Sequence, residues 1–292
     1  MIPMIEFEES QAKARILMEA LPYVRRFRGS IFVVKYGGSF MDSPDPEVRA
    51  GVAKDLVFLN FVGIKVVVVH GGGKAITKEL KNRGIEAQFL DGLRVTDQKT
   101  IDAVDTVLNH KVNSEVAHYV SSHDCDVQRF PGKEVLICEK LQGKHDWGYV
   151  GEVTQVKAAP ILEALDKGQM PVLSSTAADQ SGTCYNVNAD NVASKVAIAL
   201  GARRLVYLSD VPGLLKDPSD PTTLLSSLAV NDVEPLINDG VISAGMLPKV
   251  NSAVDALKEG VNRVHFIDGR MPHSILLEIF TDQGIGTEIV HA

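Results

Sequence analysis

The chain has 292 residues, 45% of them hydrophobic and 23% charged, a globular composition that excludes a disordered chain, collagen or a coiled coil. Its 30 basic and 37 acidic residues give a formal net charge of −7 without a basic cluster, so nucleic acid is not an expected partner. The apolar runs are far shorter than the roughly 20 residues that cross a bilayer, and no export signal is recognisable, so we expect a cytoplasmic protein without a membrane partner. Three cysteines without a Cys-x-x-Cys pair or a Cys/His cluster support neither a disulfide framework nor a metal site.

The first 29 residues predict a separate N-terminal helix. Apolar residues recur at helical spacing among charges between residues 11 and 28, and Pro22 is expected to kink the helix in its middle. A helix placed before the first strand either packs on another subunit or lies back on its own domain, and the sequence leaves both possibilities open.

From Ile31 onward, short apolar runs alternate with longer helical segments, as in βαβ units. This order predicts an α/β fold of three layers, in which an open, mainly parallel sheet carries helices on both faces. Strands are predicted at residues 31–35, 65–70, 135–139, 170–174, 205–210 and 264–268. Helices are predicted at residues 46–61, 74–83, 98–121, 159–167, 189–200 and 250–259. Residues 141–156 contain several glycines and predict an irregular hairpin that projects from the sheet, as a lid or as a decoration.

Two predicted strands end in glycines close to a lysine. Lys35 comes shortly before Gly37 and Gly38, and the second strand runs into the glycines at 71–73 and Lys74. Glycines leave backbone N–H groups uncovered, and a helix N-terminus adds partial positive charge, so both strand ends suit a phosphate. Glycine also ends strands for turn geometry alone. Neither run has the spacing of a Walker A loop or of a dinucleotide-binding motif, so a nicotinamide dehydrogenase is the weaker interpretation.

Three further segments carry polar side chains that suit an anionic ligand. Asn186, Asn188 and Asp190 share one face if their segment is extended, although Asp190 could simply cap the following helix. Arg94 lies in a predicted turn and suits a bidentate contact with a carboxylate. Lys249 follows a loop with glycine and proline at the start of a helix. Taken singly, Arg94 and Lys249 are ordinary surface charges.

Six motifs follow one another along nearly the whole chain. They are Lys-Tyr-Gly-Gly at 35–38, His-Gly-Gly-Gly at 70–73, Gly-Leu-Arg-Val-Thr at 92–96, Asn-Val-Asn-Ala-Asp at 186–190, Leu-Ser-Asp-Val-Pro-Gly-Leu-Leu at 208–215 and Gly-Met-Leu-Pro-Lys-Val at 245–250. Together they resemble the N-acetylglutamate kinases of the amino acid kinase family. The resemblance implies that MgATP phosphorylates the γ-carboxylate of N-acetyl-L-glutamate in arginine biosynthesis. A sibling kinase for another carboxylate or carbamate, and a non-catalytic arginine sensor, are the alternatives.

The resemblance also implies roles for individual residues. Lys35 and Lys249 would flank the transferred phosphoryl group, with Asp190 holding both lysines, and Gly38 and Gly72 would donate backbone N–H groups to it. The implied contacts to the acyl substrate are Gly72, Gly73, Arg94, Asn186 and Asn188. The implied contacts to the nucleotide are Asp210, Val211, Pro212, Gly213, Leu214, Leu215 and Ser243. Residues 30–189 would form the lobe for the acyl amino acid and for dimerisation, and residues 190–292 the nucleotide lobe.

The chain further resembles the members of this family that arginine inhibits. In those enzymes a helix like residues 1–29 interlaces three dimers into a hexamer, and the implied arginine site comprises Tyr23, His265, Glu278 and Gly284. A carboxylate with turn carbonyls can hold a guanidinium, although Glu278 could equally be a surface charge. A PII signalling protein, which binds the ring in some relatives, is a candidate partner.

Overall fold

The computed structural model describes residues 4–37, 46–242 and 245–291, in which helices and strands alternate along most of the chain. The strands are β1 (Ile31–Tyr36), β2 (Lys65–His70), β3 (Phe89–Leu90), β4 (Leu93–Arg94), β5 (Val127–Phe130), β6 (Leu136–Lys140), β7 (Gly151–Val156), β8 (Met170–Ser174), β9 (Thr176–Ala178), β10 (Cys184–Asn186), β11 (Arg204–Ser209), β12 (Ser227–Ala229), β13 (Arg263–Asp268) and β14 (Thr287–Val290). The helices are α1 (Met4–Phe27), α2 (Pro46–Phe61), α3 (Gly73–Asn82), α4 (Gln98–Asp105), α5 (Asn113–Ser121), α6 (Gly132–Val135), α7 (Ala158–Asp166), α8 (Ala189–Ala199), α9 (Val233–Asn238), α10 (Leu247–Lys258) and α11 (Ser274–Phe280).

An eight-stranded sheet forms the middle of the molecule, in the order β12-β14-β13-β11-β1-β2-β8-β5. Every neighbouring pair from β13 to β5 is parallel, whereas β14 runs antiparallel to β13. A smaller sheet, β10-β9-β6-β7, and the hairpin β3-β4 accompany it. The predicted α/β class with a mainly parallel sheet is therefore confirmed.

The large sheet separates two apolar cores. Val33 of β1 packs with residues of α7, α8 and α10, while its neighbours Phe32 and Val34 pack with residues of α2, α3, α5 and α11. Successive side chains of a strand face opposite sides, so a strand covered on both faces has to be apolar throughout. This explains the unbroken valine run at 66–69, all of which is buried.

The strand predicted at residues 135–139 is observed as β6, shifted by one residue, but it does not belong to the large sheet. Val135 ends the short helix α6, and β6, which follows it, belongs to the smaller sheet. The edge of the large sheet is formed by β5 instead. The strand β5 has the polar pair Gln128 and Arg129 in its middle, because an edge strand is only partly covered and does not need an apolar run.

The helix predicted at residues 98–121 is continuous but not regular. Between α4 and α5 it contains a π-helical turn, Thr106–Val112, in which the backbone hydrogen bonds span one residue more than in an α-helix. Such turns are frequent at functional sites. This one packs against the glycines that follow β2.

The N-terminal helix α1 contacts its own chain only through its last turns, among the residues whose side chains are described. Tyr23 packs edge-on against Phe280, with ring centroids 6.4 Å apart, and its hydroxyl donates a hydrogen bond to Asp282. Phe27 is buried beneath the guanidinium of Arg204. Residues 16–18, by contrast, are about two-thirds exposed although all three are apolar. The helix continues through Pro22, and no described helix has both the length and the apolarity of a membrane span.

Gly132 leaves no room for a side chain. A Cβ atom there would lie 2.1 Å from the carbonyl oxygen of Thr176 and 2.2 Å from that of Ser174. We expect Gly132→Ala to lower the free energy of unfolding by about 2–3 kcal/mol, as severe overpacking does, in urea denaturation. Gly51→Ala is the control, because Gly51 lies in α2 with nothing within 4 Å of its Cβ position. Alanine at position 51 should stabilise that helix by about 0.5–1 kcal/mol. Equal changes in the free energy of unfolding at both positions would contradict the close packing at Gly132.

Candidate active site

A cleft of about 380 Å³ opens at the carboxyl ends of the parallel strands, where α/β proteins bind ligands. The end of β1, the glycines after β2, the hairpin β3-β4 and the start of α8 all contribute to it. The predicted site residues that line it are Lys35, Gly72, Gly73, Arg94, Asn186, Asn188, Asp190 and Asp210. Gly38 and Ser243 lie outside the described residues.

The centre of the site is a carboxylate between two lysines. Asp190 Oδ1 lies 3.1 Å from Lys35 Nζ, and Asp190 Oδ2 contacts Lys249 Nζ. Burial of Asp190 opposes its ionisation, but the charges of Lys35 and Lys249 outweigh burial and hold the pKa of this carboxyl below its usual value. The three groups together carry one net positive charge, which suits the binding of an anion.

The first turn of α8 fixes the position of Asp190. The N-cap is Asn188, whose side-chain oxygen accepts hydrogen bonds from the backbone N–H groups of Asp190, at 2.8 Å, and Asn191, at 3.3 Å. The possibility that Asp190 itself caps the helix is therefore wrong. Its carboxylate lies in the first turn of the helix, where the helix dipole also favours a negative charge. Beneath it, the buried hydroxyl of Tyr207 donates to the carbonyl oxygen of Asp190 at 3.1 Å.

The glycines after β2 form the floor of the cleft. Gly72 is the N-cap of α3, and a Cβ atom on it would lie 2.6 Å from Leu108 Cδ2 in the π-helical turn. Gly73 begins the helix. The first N–H groups of an α-helix have no partner within the helix, so this floor can donate hydrogen bonds to an anion.

Arg94 has the environment of a carboxylate-binding residue. It is 7% exposed, its Nη2 donates to the carbonyl of Gly73 at 3.0 Å and to Thr77 Oγ1 at 2.9 Å, and its guanidinium lies over the ring of Phe89. Burial lowers the pKa of Arg94, but an arginine stays charged. Its Nη1 is buried and has no hydrogen-bond partner among the described residues. A ligand carboxylate would supply the missing acceptor.

The segment 147–150, which reaches the cleft at Val150, forms a wall that the sequence did not predict. Thr96 donates its N–H to the carbonyl of Trp147 at 2.8 Å and accepts from the N–H of Tyr149 at 2.7 Å, while Asn186 donates its N–H to the carbonyl of Tyr149 at 2.9 Å. The Trp147 indole N–H donates to the carbonyl of Leu90 at 3.0 Å. The predicted hairpin is observed, since β6 and β7 pair antiparallel on either side of this segment, and it is hydrogen-bonded to Thr96, Asn186 and Leu90. The residues to which this segment is hydrogen-bonded lie far from it along the chain, so no local sequence pattern could have predicted these contacts.

The turn at 210–215 after β11 contributes one residue to the cleft and another to the apolar core. Asp210 lines the cleft, whereas Leu214 is buried in the apolar core and its N–H donates to Thr287 Oγ1 at 2.8 Å. Gly213 has a φ of 153°, and a Cβ atom there would meet Thr287 Oγ1 at 2.4 Å. The turn is therefore anchored to the core at Leu214, and Asp210 is the residue by which it reaches the cleft.

A second cavity, of about 240 Å³, lies between the end of α1 and α11. Tyr23, His265, Glu278 and Gly284, the positions expected to bind arginine, all line it. The alternative that Glu278 is a surface charge is wrong, since it is buried. Its Oε1 lies 2.8 Å from His265 Nδ1, and its Oε2 accepts from the N–H groups of Ile285, at 2.8 Å, and Gly286, at 3.0 Å. Although burial opposes ionisation, these contacts hold the pKa of Glu278 below its usual value.

The same cavity carries charges of both signs. Three arginines, Arg26, Arg204 and Arg263, line it together with Glu278 and Asp282. Burial, reinforced by the neighbouring arginines, lowers the pKa of Arg204 to about 9. The cavity is thus suited to an elongated ligand that has a positive and a negative end.

Among the described residues, no group of three or more His, Cys, Asp or Glu side chains could hold a metal ion. In the cleft, both oxygens of Asp190 already face lysines.

Comparisons with known proteins all point to one family. Residues 30–268 match the amino acid kinase family. The chain is 47% identical to the acetylglutamate kinase of Thermosynechococcus vestitus over 95% of its own length and 94% of the relative's. It is 42% identical to the acetylglutamate kinase of Petrotoga mobilis over 99% and 97% of the two lengths.

Solved structures agree with this result. The N-acetylglutamate synthase of Neisseria gonorrhoeae, solved with coenzyme A and N-acetyl-glutamate, superposes with a TM-score of 0.84 at 25% identity. The match covers 96% of this chain but only 63% of the synthase chain. The carbamate kinase of Giardia lamblia shares the fold, with a TM-score of 0.65 at 13% identity over 90% and 99% of the two chains.

The substitution Asp190→Asn keeps the shape of the side chain but removes the charge between the two lysines. At pH 7 we expect the free energy of unfolding to fall by about 3 kcal/mol, because two ammonium groups lose their counter-charge. The folded-state pKa of Asp190 lies below its unfolded value, so the ionised carboxylate stabilises the fold above the unfolded pKa, and this contribution is lost as the pH falls through the folded pKa. In urea denaturation, the difference between wild type and variant should stay constant from about pH 8 to about pH 5 and shrink below about pH 4. A difference that vanishes already above pH 5 would contradict this assignment.

Proposed function

The chain belongs to the amino acid kinase family, within its acetylglutamate kinase branch, and on this premise we propose how its cleft transfers the γ-phosphoryl group of ATP to the γ-carboxylate of N-acetyl-L-glutamate. The observation that carries the proposal is the Asp190 carboxylate between Lys35 and Lys249, next to the buried Arg94. A phosphoryl group and a carboxylate are both anions, and this cleft offers fixed positive charge for each.

The reaction needs no general base. The γ-carboxyl group of the substrate has an unperturbed pKa of about 4.3, so it is already an ionised nucleophile at pH 7. The barrier comes instead from bringing two anions together in line, and the protein lowers it by positioning and by fixed charges. Lys35 and Lys249 would donate to the oxygens of the transferring group, and Asp190 would hold both ammonium groups without taking up a proton.

The acyl substrate would bind against the lobe formed by residues 30–189. Arg94 Nη1, which has no acceptor among the described residues, would receive the α-carboxylate, and Asn186, with Asn188 nearby, would bind beside it. The floor at Gly72 and Gly73 would run along the acyl chain and donate to the transferred group. Gly38 would contribute a further N–H from the loop after β1.

ATP would bind against the lobe formed by residues 190–292. Asp210 faces the cleft at the start of the turn to Leu215, which supports a nucleotide position there, and the loop around Ser243 would complete it. Magnesium would arrive with the phosphates of ATP and neutralise part of their charge. Because Asp190 is already paired with two lysines, it would not serve as a metal ligand.

Lys35→Ala and Lys249→Ala should each lower kcat by roughly 10²–10³-fold, as the loss of a fixed donor does at an oxyanion hole. The measurement is ADP release that depends on both N-acetyl-L-glutamate and MgATP, each omitted in turn. Lys167→Ala is the matched control, because Lys167 is exposed, pairs with Glu163 and does not line the cleft, so its kcat should equal that of the wild type. A loss below tenfold would refute the assigned role. Equal turnover with glutamate or aspartate would instead favour a sibling kinase.

We further propose that the second cavity binds L-arginine as a feedback inhibitor. Arg26 and Arg204 suit its carboxylate, whereas Arg263 is already paired with Glu288, and Glu278 with Asp282 suits its guanidinium. The exposed apolar residues at 16–18 of α1 would be covered by another copy of the helix, in a hexamer built from three dimers. A PII signalling protein is a candidate partner of such a ring.

Arginine should inhibit ADP release sigmoidally, since sites joined through α1 would respond together. Glu278→Gln should raise the arginine concentration for half inhibition at least tenfold, because it removes the buried negative charge. Glu163→Gln makes the same chemical change at an exposed site on α7, and its inhibition should match the wild type. If wild-type turnover is indifferent to arginine, the cavity is only a structural feature.

A further inference from the structure

A group of polar side chains, two of them fully buried, lies beneath the floor of the cleft, outside the residues assigned above. It consists of His70 at the end of β2, Asn113 at the start of α5 and Arg129 on β5, which we call the His70 network. His70 and Asn113 are fully buried, and neither of them lines the cleft. We propose that the His70 network positions the Gly72 N–H for phosphoryl transfer. This inference rests on the proposed kinase function and deepens it.

The hydrogen bonds of the network fix the protonation state of His70. Arg129 Nε can only donate, so the atom of Asn113 that it contacts at 2.8 Å is the oxygen. The Asn113 amide nitrogen then faces the carbonyl of Val172 and His70 Nε2, both at 3.0 Å, and donates to each. His70 Nε2 is therefore an acceptor, and the proton of the ring lies on Nδ1.

The proton on Nδ1 determines the orientation of the next peptide group. His70 Nδ1 lies 2.9 Å from the carbonyl oxygen of Gly71 and donates to it. A trans peptide group is planar, with its C=O and N–H pointing in opposite directions. Holding the Gly71 carbonyl towards His70 therefore turns the Gly72 N–H away from His70. Gly72 lines the cleft, so this N–H is available to an anion bound there.

The π-helical turn supports the same peptide from another side. Leu108 and Val112 both lie in this turn, and their methyl groups come within 2.6 and 3.3 Å of a Cβ position on Gly72. Without a partner for its carbonyl, a glycine peptide could rotate at little cost. The side chains of the turn restrict where Gly72 lies, and His70 sets the direction in which its peptide points.

The environment keeps His70 neutral. Burial lowers the pKa of His70 to about 4, although its contact with Gly71 opposes this shift. Arg129 is the charged side chain whose field acts on His70, and it further disfavours a second positive charge. The donor on Nδ1 and the acceptor on Nε2 are thus retained throughout the neutral pH range.

Asn113→Asp tests the proposal, because a carboxylate accepts from Arg129 but cannot donate to His70 Nε2. His70 then keeps both of its contacts at once only by binding a second proton, so its pKa should rise towards neutrality. Below the new pKa both ring nitrogens donate and the Gly71 carbonyl stays held. Above it the carboxylate draws the single ring proton to Nε2, so Nδ1 and the Gly71 carbonyl oxygen face each other as two acceptors and the peptide shifts. We expect kcat of the variant to fall at least tenfold as the pH rises through that pKa, with no such step in the wild type between about pH 6 and pH 8.

Asn60→Asp is the matched control. It makes the same amide-to-carboxylate change at the end of α2, where the Asn60 amide contacts Cys125 at 3.5 Å and does not touch the cleft. Its pH profile should follow the wild type. A wild-type profile in Asn113→Asp would overturn the proposal.

Two measurements keep the proposal testable if Asn113→Asp does not fold. Nitrogen-15 NMR of wild-type His70 should show a neutral ring protonated on Nδ1, and a proton on Nε2 would overturn the proposal whether or not the protein is active. His70→Ala should lower kcat about 100-fold, while His70→Asn, whose amide can still donate to Gly71, should recover at least tenfold of that loss. Equal loss in both variants would mean a purely structural role. Absence of wild-type turnover would reject the proposed function and leave the NMR result standing.

Discussion

The pairing of one buried carboxylate with two lysines is the interaction around which the site is arranged. Lys35 comes from the first strand, Asp190 from the first turn of α8 and Lys249 from the first turn of α10, so three distant segments meet at one charge. Two unpaired ammonium groups in a half-buried position would repel each other, and Asp190 removes most of that cost. The single positive charge that remains is then available to the reacting group.

Much of the fold follows from the sequence because the central strands are buried on both faces. The apolar runs at 32–34 of β1 and 66–69 of β2 are unbroken for that reason, and both strands were predicted to within one residue of their observed bounds. The edge strand β5 is covered less and contains Gln128 and Arg129, so its pattern resembles that of a loop. The strand β6 was recognised as extended, but periodicity carries no information on which sheet a strand joins.

The sequence predicted the strand-end residues of the candidate site but not the contacts that hold them. Residues at the ends of strands were recognised because parallel strands bring their carboxyl ends to one edge, and Lys35, Arg94 and Asp190 do meet there. The choice between Asn188 and Asp190 as the cap depends on the residue at which α8 begins. The wall at 147–150 and the protonation of His70 depend on which atoms touch across the fold. Hydrogen bonds between residues so far apart along the chain leave no trace in local composition.

One feature of the wall gives the molecule a built-in optical label. Trp147 is the single tryptophan of the chain, is almost fully buried, and is tied through its indole N–H to the hairpin that carries Arg94. The neighbouring ring of His145 meets the indole edge-on, with centroids 5.4 Å apart. All tryptophan emission of the chain therefore originates beside the hairpin that carries Arg94, and its wavelength and intensity follow the local environment of that wall alone.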